Sequence, residues 1–469
     1  MHALLMFLLV LGVAAERPPN VLFILTDDLG VGDPGASNPS SRIPTPHIDR
    51  VAREGMRFVD AHSPSAVCTP SRYGLLTGRY PWRSRLKHGV LWGDDGALIE
   101  NDRPTIARLL KRRGYHTACF GKWHLGLGTA PKIDWMETER LDAGPHTLGF
   151  DESLIFPSAL DIPPYLYVRD GVREAAPTEY TPGSRRRWEG GGGFWRAGEM
   201  QPGFDIVDCQ LRFQREAVRF LKARTDEPDT PWLLYFPMTA PHTPWVPADE
   251  FVGRSEAGWY GDFVVEIDSV VGALLEALEG SGQADNTIVV FTSDNGSHWR
   301  PTDIDRFGHD ANLGWRGMKA DIHEAGHRIP LYVRWPGRVE PGSMSRALVG
   351  LNDFYATLAE HLDLPLADGE AEDSVSFLGA LSGGPGLRGE LVHHSYEGML
   401  ALRQGNLKLC TELGSGGFTY PLTIRPEPDG PTGQLFDLAA DPAERENLWL
   451  ERPETVTRML RRLAEIRDS

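Results

Sequence analysis

The sequence predicts an α/β protein. A large, mostly parallel mixed sheet is flanked by helices and followed by a small C-terminal α+β domain with an antiparallel sheet. Three observations lead there. First, four short apolar runs recur, at residues 21–25, 116–120, 232–236 and 287–291. They are too short for core helices and too continuous for half-exposed strands, so they read as strands buried on both faces. Second, helix-like stretches lie between them. Residues 105–113 form one. Residues 209–223 form another, with Leu211, Phe213, Ala217, Val218 and Leu221 near one face. Third, each run is followed at once by polar residues: Asp27-Asp28, Lys122 and His124, His242, and Asp294-Asn295. In open parallel sheets, ligands bind beyond the carboxyl ends of the strands. Four deliveries of complementary chemistry to one edge point to a site.

The chain has 469 residues, more than one core of usual size accommodates. We expect a catalytic domain at 16–375 and a C-terminal subdomain at 376–469. The Gly-, Ser- and acid-rich stretch 368–388 leads into the latter. There, residues 399–410 and 434–438 read as short antiparallel strands and 453–466 as a closing helix. At the start, residues 3–15 are apolar and end in Val13-Ala14-Ala15. This predicts a signal peptide over 1–15 and a secreted or periplasmic protein. No run is long enough for a transmembrane helix. The formal charge of −17 gives no global field for polyanions, which argues against nucleic acid as a partner. It suits a protein that holds a divalent cation. Cys68, Cys119, Cys209 and Cys410 fit neither a zinc spacing nor a disulfide framework, and Cys119 reads as core.

Asp27-Asp28 and Asp294-Asn295 supply hard oxygen ligands, which favour calcium or magnesium over zinc. Such pairs in loops are ordinarily solvated. Two of them after two buried strands predict a metal site. Asn295-Gly296-Ser297 also forms a glycosylation sequon, which should be unoccupied if Asn295 is a ligand. In the segment Cys68-Thr69-Pro70-Ser71-Arg72, Pro70 fits the first turn of a helix and Gly78 its end. Cys68 would sit just before the helix N-terminus, with Arg72 one turn on. That leaves a buried structural cysteine or a thiolate nucleophile as readings from local chemistry.

The combination of Cys68-Thr69-Pro70-Ser71-Arg72 with Leu75-Leu76-Thr77-Gly78-Arg79 resembles the signature of type I, formylglycine-dependent sulfatases of the alkaline phosphatase superfamily. The likeness continues in Asp27-Asp28-Leu29-Gly30, Gly121-Lys122-Trp123-His124, Pro241-His242-Thr243-Pro244 and Ser293-Asp294-Asn295-Gly296. It extends to Lys319 ahead of Glu324-Ala325-Gly326-His327-Arg328, and to Asn406-Leu407-Lys408 and Leu435-Phe436-Asp437. The resemblance implies that a maturation enzyme oxidises Cys68 to formylglycine. The aldehyde hydrates, one diol oxygen attacks sulfur and expels the substrate alcohol, and the second hydroxyl collapses to eject sulfate. It further implies one calcium ion held by Asp27, Asp28, Asp294, Asn295 and the modified residue 68. Arg72 and Lys122 would hold the diol, and His124 would be its base. His242 and Lys319 would contact sulfate and leaving oxygen, with His242 the general acid. Ser158 resembles a further sulfate-site position. The implied substrate is a sulfated carbohydrate or an aryl sulfate.

His323-Glu324-Ala325-Gly326-His327 fits the zinc-protease pattern His-Glu-x-x-His, which works only on a helix. Gly326 and Pro330 argue against one, and 329–335 reads as a strand. His393-His394 reads as structural. Arg185-Arg186-Arg187-Trp188, Gly190-Gly191-Gly192-Gly193 and Phe194-Trp195-Arg196 make a solvated insertion or a substrate loop. Trp188, Trp195, Trp245, Trp299 and Trp315 lie near the expected site, and Arg79, Arg83, Arg85 and Lys87 follow the signature helix. Aromatics with scattered cations suit a sulfated saccharide, although such tryptophans equally fill cores. Asp161-Ile162-Pro163-Pro164-Tyr165 resembles loops of bacterial polysaccharide sulfatases. Two other classes remain: a phosphoester or phosphonate hydrolase of the same superfamily, and a non-catalytic glycan-binding relative.

Overall fold

The computed structural model describes residues 17–185 and 193–469. The expected signal peptide, Arg186, Arg187, Trp188 and Gly190-Gly191-Gly192 lie outside these residues. The four apolar runs become neighbours in one sheet. In order, they are the strands Thr287–Ser293, Asn20–Thr26, Trp232–Pro237 and His116–Lys122, all parallel. A fifth parallel strand, Glu152–Phe156, extends this core. Beyond it, Val168–Arg169 and Val172–Arg173 close one edge, antiparallel. On the other side, Leu331–Arg334 and Met56–Phe58 run antiparallel and Ser343–Ser345 completes a 10-stranded mixed sheet.

Continuous apolar runs are explained by burial on both faces. Along Asn20–Thr26, Val21, Phe23 and Leu25 join one core with Tyr73, Leu75 and Leu76 of the helix Cys68–Thr77. Leu22 and Ile24 join the opposite core, with Phe213 and Phe220 of the helix Asp208–Ala223 and Val264, Ile267 and Val271 of Gly258–Gly280. The period of two sends alternate residues to opposite layers. The helix expected at 105–113 spans Ile106–Lys111, and the Thr105 side chain caps it by accepting from the Arg108 N–H.

A separate antiparallel sheet near the C-terminus runs Glu390–His394, Leu400–Gln404, Leu407–Cys410 and Gln434–Asp437. Its first strand carries His393 and His394, and the sequence pattern did not reveal it. The helix Pro453–Asp468 packs Val456, Met459 and Leu463 onto Leu391, Leu402, Leu409 and Leu435. Among the described residues, no helix is long and apolar enough to cross a membrane. The four cysteines are buried and unbridged among the described residues.

Candidate active site

The site lies beyond the carboxyl ends of the central parallel strands. Thr26 pairs with Ser293 across the sheet, so Asp27-Asp28 and Asp294-Asn295 leave it side by side. The Asp28 N–H donates to Asp294 Oδ1 at 3.2 Å, and Asn295 Nδ2 donates to Asp28 Oδ1 at 2.7 Å. Asp28 has a φ of 68°, in the left-handed region that ordinary residues avoid. Such backbone strain persists where surrounding structure enforces it.

The signature segment forms the helix Cys68–Thr77, every residue of it buried. Cys68 is its first residue, one position further in than the sequence suggested. Gly78, with a φ of 70°, closes the helix by donating its N–H to Gly74 O. One turn after Cys68, Arg72 reaches back to the sheet edge. Its Nε donates to Asp294 Oδ2 at 2.9 Å, Nη2 lies in ion-pair contact with the same oxygen at 2.7 Å, and Nη1 donates to Lys122 O at 2.9 Å. Lys122 Nζ meets Asp27 Oδ2 at 2.6 Å, and Lys319 Nζ meets Asp28 Oδ2 at 2.7 Å. Three acids therefore face three cations in a buried cluster.

Burial pushes the Cys68 thiol up, against the pull of Lys122 and Lys319. A neutral buried thiol is a poor nucleophile, which removes the thiolate reading of this cysteine. Burial and the neighbouring Asp27 charge raise Asp294, whereas Lys122, His242 and Arg72 outweigh burial and hold Asp27 low. That split is what two repelling carboxylates produce. Asp27, Cys68 and Asp294 each bring a ligand atom within 4.8 Å of the others. Asp27 Oδ1 and Asn295 Oδ1 are buried without a hydrogen-bond partner among the described residues. Orphaned oxygens in a carboxylate-rich cradle fit a hard cation such as calcium. Asn295 is fully buried with its amide nitrogen engaged, so the sequon is closed to a glycan.

His124 also adopts a left-handed φ, 56°. Its Nε2 donates to the Leu91 carbonyl at 2.8 Å, so the lone pair stays on Nδ1. Nδ1 is buried without a partner among the described residues. Burial first, then Lys122, holds this imidazole well below its ordinary range, and therefore neutral. His242 donates from Nδ1 to Thr243 O at 2.6 Å, while its Nε2 is 3.7 Å from Asp28 Oδ2.

Ser158 stands apart. Its hydroxyl is spent on the carbonyls of Ile162 at 3.0 Å and Ala159 at 3.4 Å within its own turn. Trp245 and Trp299 are core, packed on Tyr260. The cations after the signature helix serve structure as well. Arg79 pairs with Glu372, Arg83 with Asp373, Arg85 with Gly96 O and Lys87 with Trp82 O. The His-Glu-x-x-His pattern is divided: His323 contacts Gln434 Oε1 and His327 contacts His62, and only Glu324–His327 is helical. Sequence reasoning missed Leu91, which offers a carbonyl and no side-chain signal. Asp161, quoted from the sequence only for the likeness of its loop, stands 3.8 Å from His242 and is paired with Arg196. It follows the fifth parallel strand, whose Glu152-Ser153 start hid that strand from a search for apolar runs.

A family model described as Sulfatase matches residues 19–167 and 203–364. An N-acetylgalactosamine-6-O-sulfatase of Bacteroides thetaiotaomicron is 32% identical over 97% of this chain and 93% of its own length. A solved structure from work on glycosaminoglycan metabolism by the same organism superposes with a TM-score of 0.85 at 30% identity. It covers 97% of this chain and 100% of that one. A phosphonate monoester hydrolase of Agrobacterium radiobacter has a TM-score of 0.60 at 19% identity, over 96% of this chain and 95% of the other. At that identity the likeness carries the fold alone. The matches at 30% identity and above span both the large sheet and the C-terminal sheet. The chain belongs to the sulfatase family and is a sulfuric ester hydrolase.

Proposed function

We propose that this protein hydrolyses sulfate esters of a carbohydrate, using formylglycine made from Cys68 and one calcium ion. The observation that carries the reading is the buried cluster itself. A neutral, fully buried Cys68 has no nucleophilic use as a thiol, yet it shares its cradle with three acids, two lysines and an arginine. A formylglycine hydrate at position 68 supplies an attacking oxygen and a second hydroxyl. Calcium, when held by Asp27, Asp28, Asp294, Asn295 and residue 68, supplies charge that polarises sulfate oxygens.

The remaining roles belong to the chain's own groups. Lys122 and Arg72 neutralise negative charge on the side chain at 68 and fix its direction. His124 Nδ1, unprotonated and held by the Leu91 contact, can take a proton from the second hydroxyl. His242 keeps Nδ1–H on Thr243 O, so a second proton, carried on Nε2 of the imidazolium, is the one that can pass to the leaving alcohol and return the ring to its neutral form. Lys319 balances the sulfate charge. Three cations facing three acids leave the cluster itself without net charge, so a dication held there would attract the singly charged sulfate ester. Ser158 donates its hydroxyl within its own turn, so we assign it no proton-transfer step.

The carbohydrate class rests on the relative that desulfates N-acetylgalactosamine and on the aromatic and arginine side chains beside His242. We further propose export, because a chain that meets extracellular glycans needs a leader such as residues 1–15. The test is turnover of an aryl sulfate, an aryl phosphate and 6-O-sulfated N-acetylgalactosamine, with and without chelator. It is paired with mass spectrometry of the peptide containing position 68. We expect sulfate release from both sulfates, loss on chelation restored by calcium, and a formylglycine mass. A preference for the phosphate would move the enzyme to the phosphoester class. An unmodified thiol in active protein would remove the formylglycine route.

A further inference from the structure

Next to His242 lies a group of side chains that the sulfate chemistry does not use. Asp161 is buried, at 5% exposure. One carboxylate oxygen pairs with Arg196 Nη1, and the Arg196 backbone N–H donates to Asp161 O at 3.0 Å. The other oxygen, Oδ1, is buried and has no hydrogen-bond partner among the described residues. It stands 3.8 Å from His242 Nδ1, but that N–H is already given to Thr243 O at 2.6 Å. A buried acceptor without a donor costs about 1–3 kcal/mol, so such an oxygen in an active-site wall calls for a donor from the ligand.

The surroundings say what kind of ligand. The Arg196 guanidinium lies over two rings, 5.2 Å from the centre of Trp92 and 5.0 Å from that of Phe194. Both rings are unusually open for large hydrophobics, at 47% and 38% exposure. The segment is fastened to the histidine loop. Phe194 N donates to Thr243 Oγ1 at 3.2 Å, and Thr243 Oγ1 donates to Phe194 O at 3.0 Å. Trp92 follows Leu91, whose carbonyl fixes His124. One acceptor, one planar donor and an apolar ring face are thus tied to both catalytic histidine loops. Aromatic faces pack on the C–H surface of a sugar, and a carboxylate–guanidinium pair reads its hydroxyls.

We infer that Asp161 and Arg196 form a specificity subsite that recognises ring hydroxyls of the sugar bearing the sulfate, with Trp92 as its apolar wall. Asp161 Oδ1 accepts from one hydroxyl and Arg196 donates to an adjacent oxygen. These residues select the alcohol and take no part in breaking the ester bond. The inference rests on the carbohydrate reading above.

Two measurements test it. In the first, the unaltered enzyme is given 6-O-sulfated N-acetylgalactosamine and analogues that each lack one ring hydroxyl. One analogue should lose about 10- to 100-fold in kcat/KM, because its absence leaves the buried carboxylate unpaired. In the second, Asp161→Asn is assayed on the same sugar and on an aryl sulfate without sugar hydroxyls. The sugar should lose about 10- to 100-fold and the aryl sulfate less than about threefold. The variant should show no further loss on the critical deoxy analogue, as coupled partners require. Equal losses on sugar and aryl sulfate would make Asp161 a positioning residue for His242 and overturn the subsite. So would indifference of the unaltered enzyme to every deoxy analogue, a result that does not depend on whether the variant folds. Failure of the unaltered enzyme on all sulfated sugars, with aryl sulfate turned over, overturns the carbohydrate reading and the subsite with it.

Discussion

Among the described residues, two buried polar clusters each gather three metal-ligating side chains within 4.8 Å: Asp27, Cys68 and Asp294 in one, His62, His327 and His393 in the other. Proximity alone does not distinguish them, but lone-pair direction does. His327 and His393 stack with ring centres 3.9 Å apart and planes 11° apart. The lone pairs of parallel rings lie in parallel planes and do not converge on one ion. His62 and His327 meet Nδ1 to Nδ1 at 3.0 Å and share a single proton, with His62 Nε2 on Asp60. A cation is already built in: Lys408 Nζ lies 3.0 Å from His327 Nε2, 3.2 Å from Glu324 and 2.8 Å from Glu444. The first cluster instead presents carboxylate and amide oxygens at the open edge of the sheet, two of them without donors among the described residues. The first is built to receive charge. The second joins the helix Glu324–His327 and the strand Ala61–His62 to the C-terminal sheet.

If that division is right, the largest effect of any single substitution on turnover belongs to the first cluster and leaves stability nearly untouched. Cys68→Ala should lower kcat by about 10⁵-fold or more, the scale of removing a nucleophile that acts in concert with its neighbours. The four remaining calcium ligands stay, so calcium should still raise the melting temperature of the variant. Loss of calcium binding together with activity would mean that residue 68 holds the metal more than it attacks. Steady-state kinetics and thermal unfolding with and without calcium separate the two.

The converse substitution is Glu324→Gln. Glu324 is buried and holds Arg328 at 2.7 Å and Lys408 at 3.2 Å. Neutralising it leaves buried cations short of a partner, which costs about 3–5 kcal/mol of unfolding free energy. Turnover per folded molecule should change little. Denaturant unfolding and active-site titration check this. A collapse of kcat with stability intact would make the second cluster part of the catalytic apparatus and erase the contrast.

The sequence exposed the first cluster and hid the second for a physical reason. Asp27-Asp28, Lys122, His242 and Asp294 each follow a continuous apolar strand, and fully buried strands of a parallel sheet leave that mark. The order of the strands does not follow from it; that all four runs are neighbours is seen only in the fold. The second cluster draws His62 from a two-residue strand, His327 from a one-turn helix and His393 from a strand whose pattern is mixed. None of these has enough periodicity to be seen, and Glu324–His327 is only a single helical turn, as Gly326 and Pro330 predict for the His-Glu-x-x-His segment. For Ser158 the sequence carries no sign of whether the hydroxyl faces a ligand or its own turn, and here it donates within its turn. Arg79 and Arg83 looked available to a substrate because their acidic partners are distant in sequence, and Arg85 and Lys87 because a backbone carbonyl leaves no side-chain signal.

The finest separation of the clusters is in their response to acid. Burial holds His327 and His393 well below the ordinary histidine value of 6.5, and His62 below it. The unfolded chain takes up these protons below about pH 6.5, and the folded chain refuses them. With more protons bound in the unfolded state, stability rises with pH, so each buried histidine costs stability as pH falls below that value. The slope is about 1.4 kcal/mol per pH unit for each histidine that stays neutral. Asp27 acts lower down. Lys122, His242 and Arg72 outweigh burial and depress it below 3.8, so its contribution is present above that value and lost only as pH falls through its folded one. The first site carries one such histidine, His124, against three in the second, so the second should lose stability more steeply as pH falls below 6.5. His393→Gln removes one refused proton, so its stability should fall less steeply below pH 6.5, by about 1.4 kcal/mol per pH unit. An unchanged slope in unfolding measurements across mildly acidic pH would place the acid-sensitive joint elsewhere, and the two clusters would no longer differ in this respect.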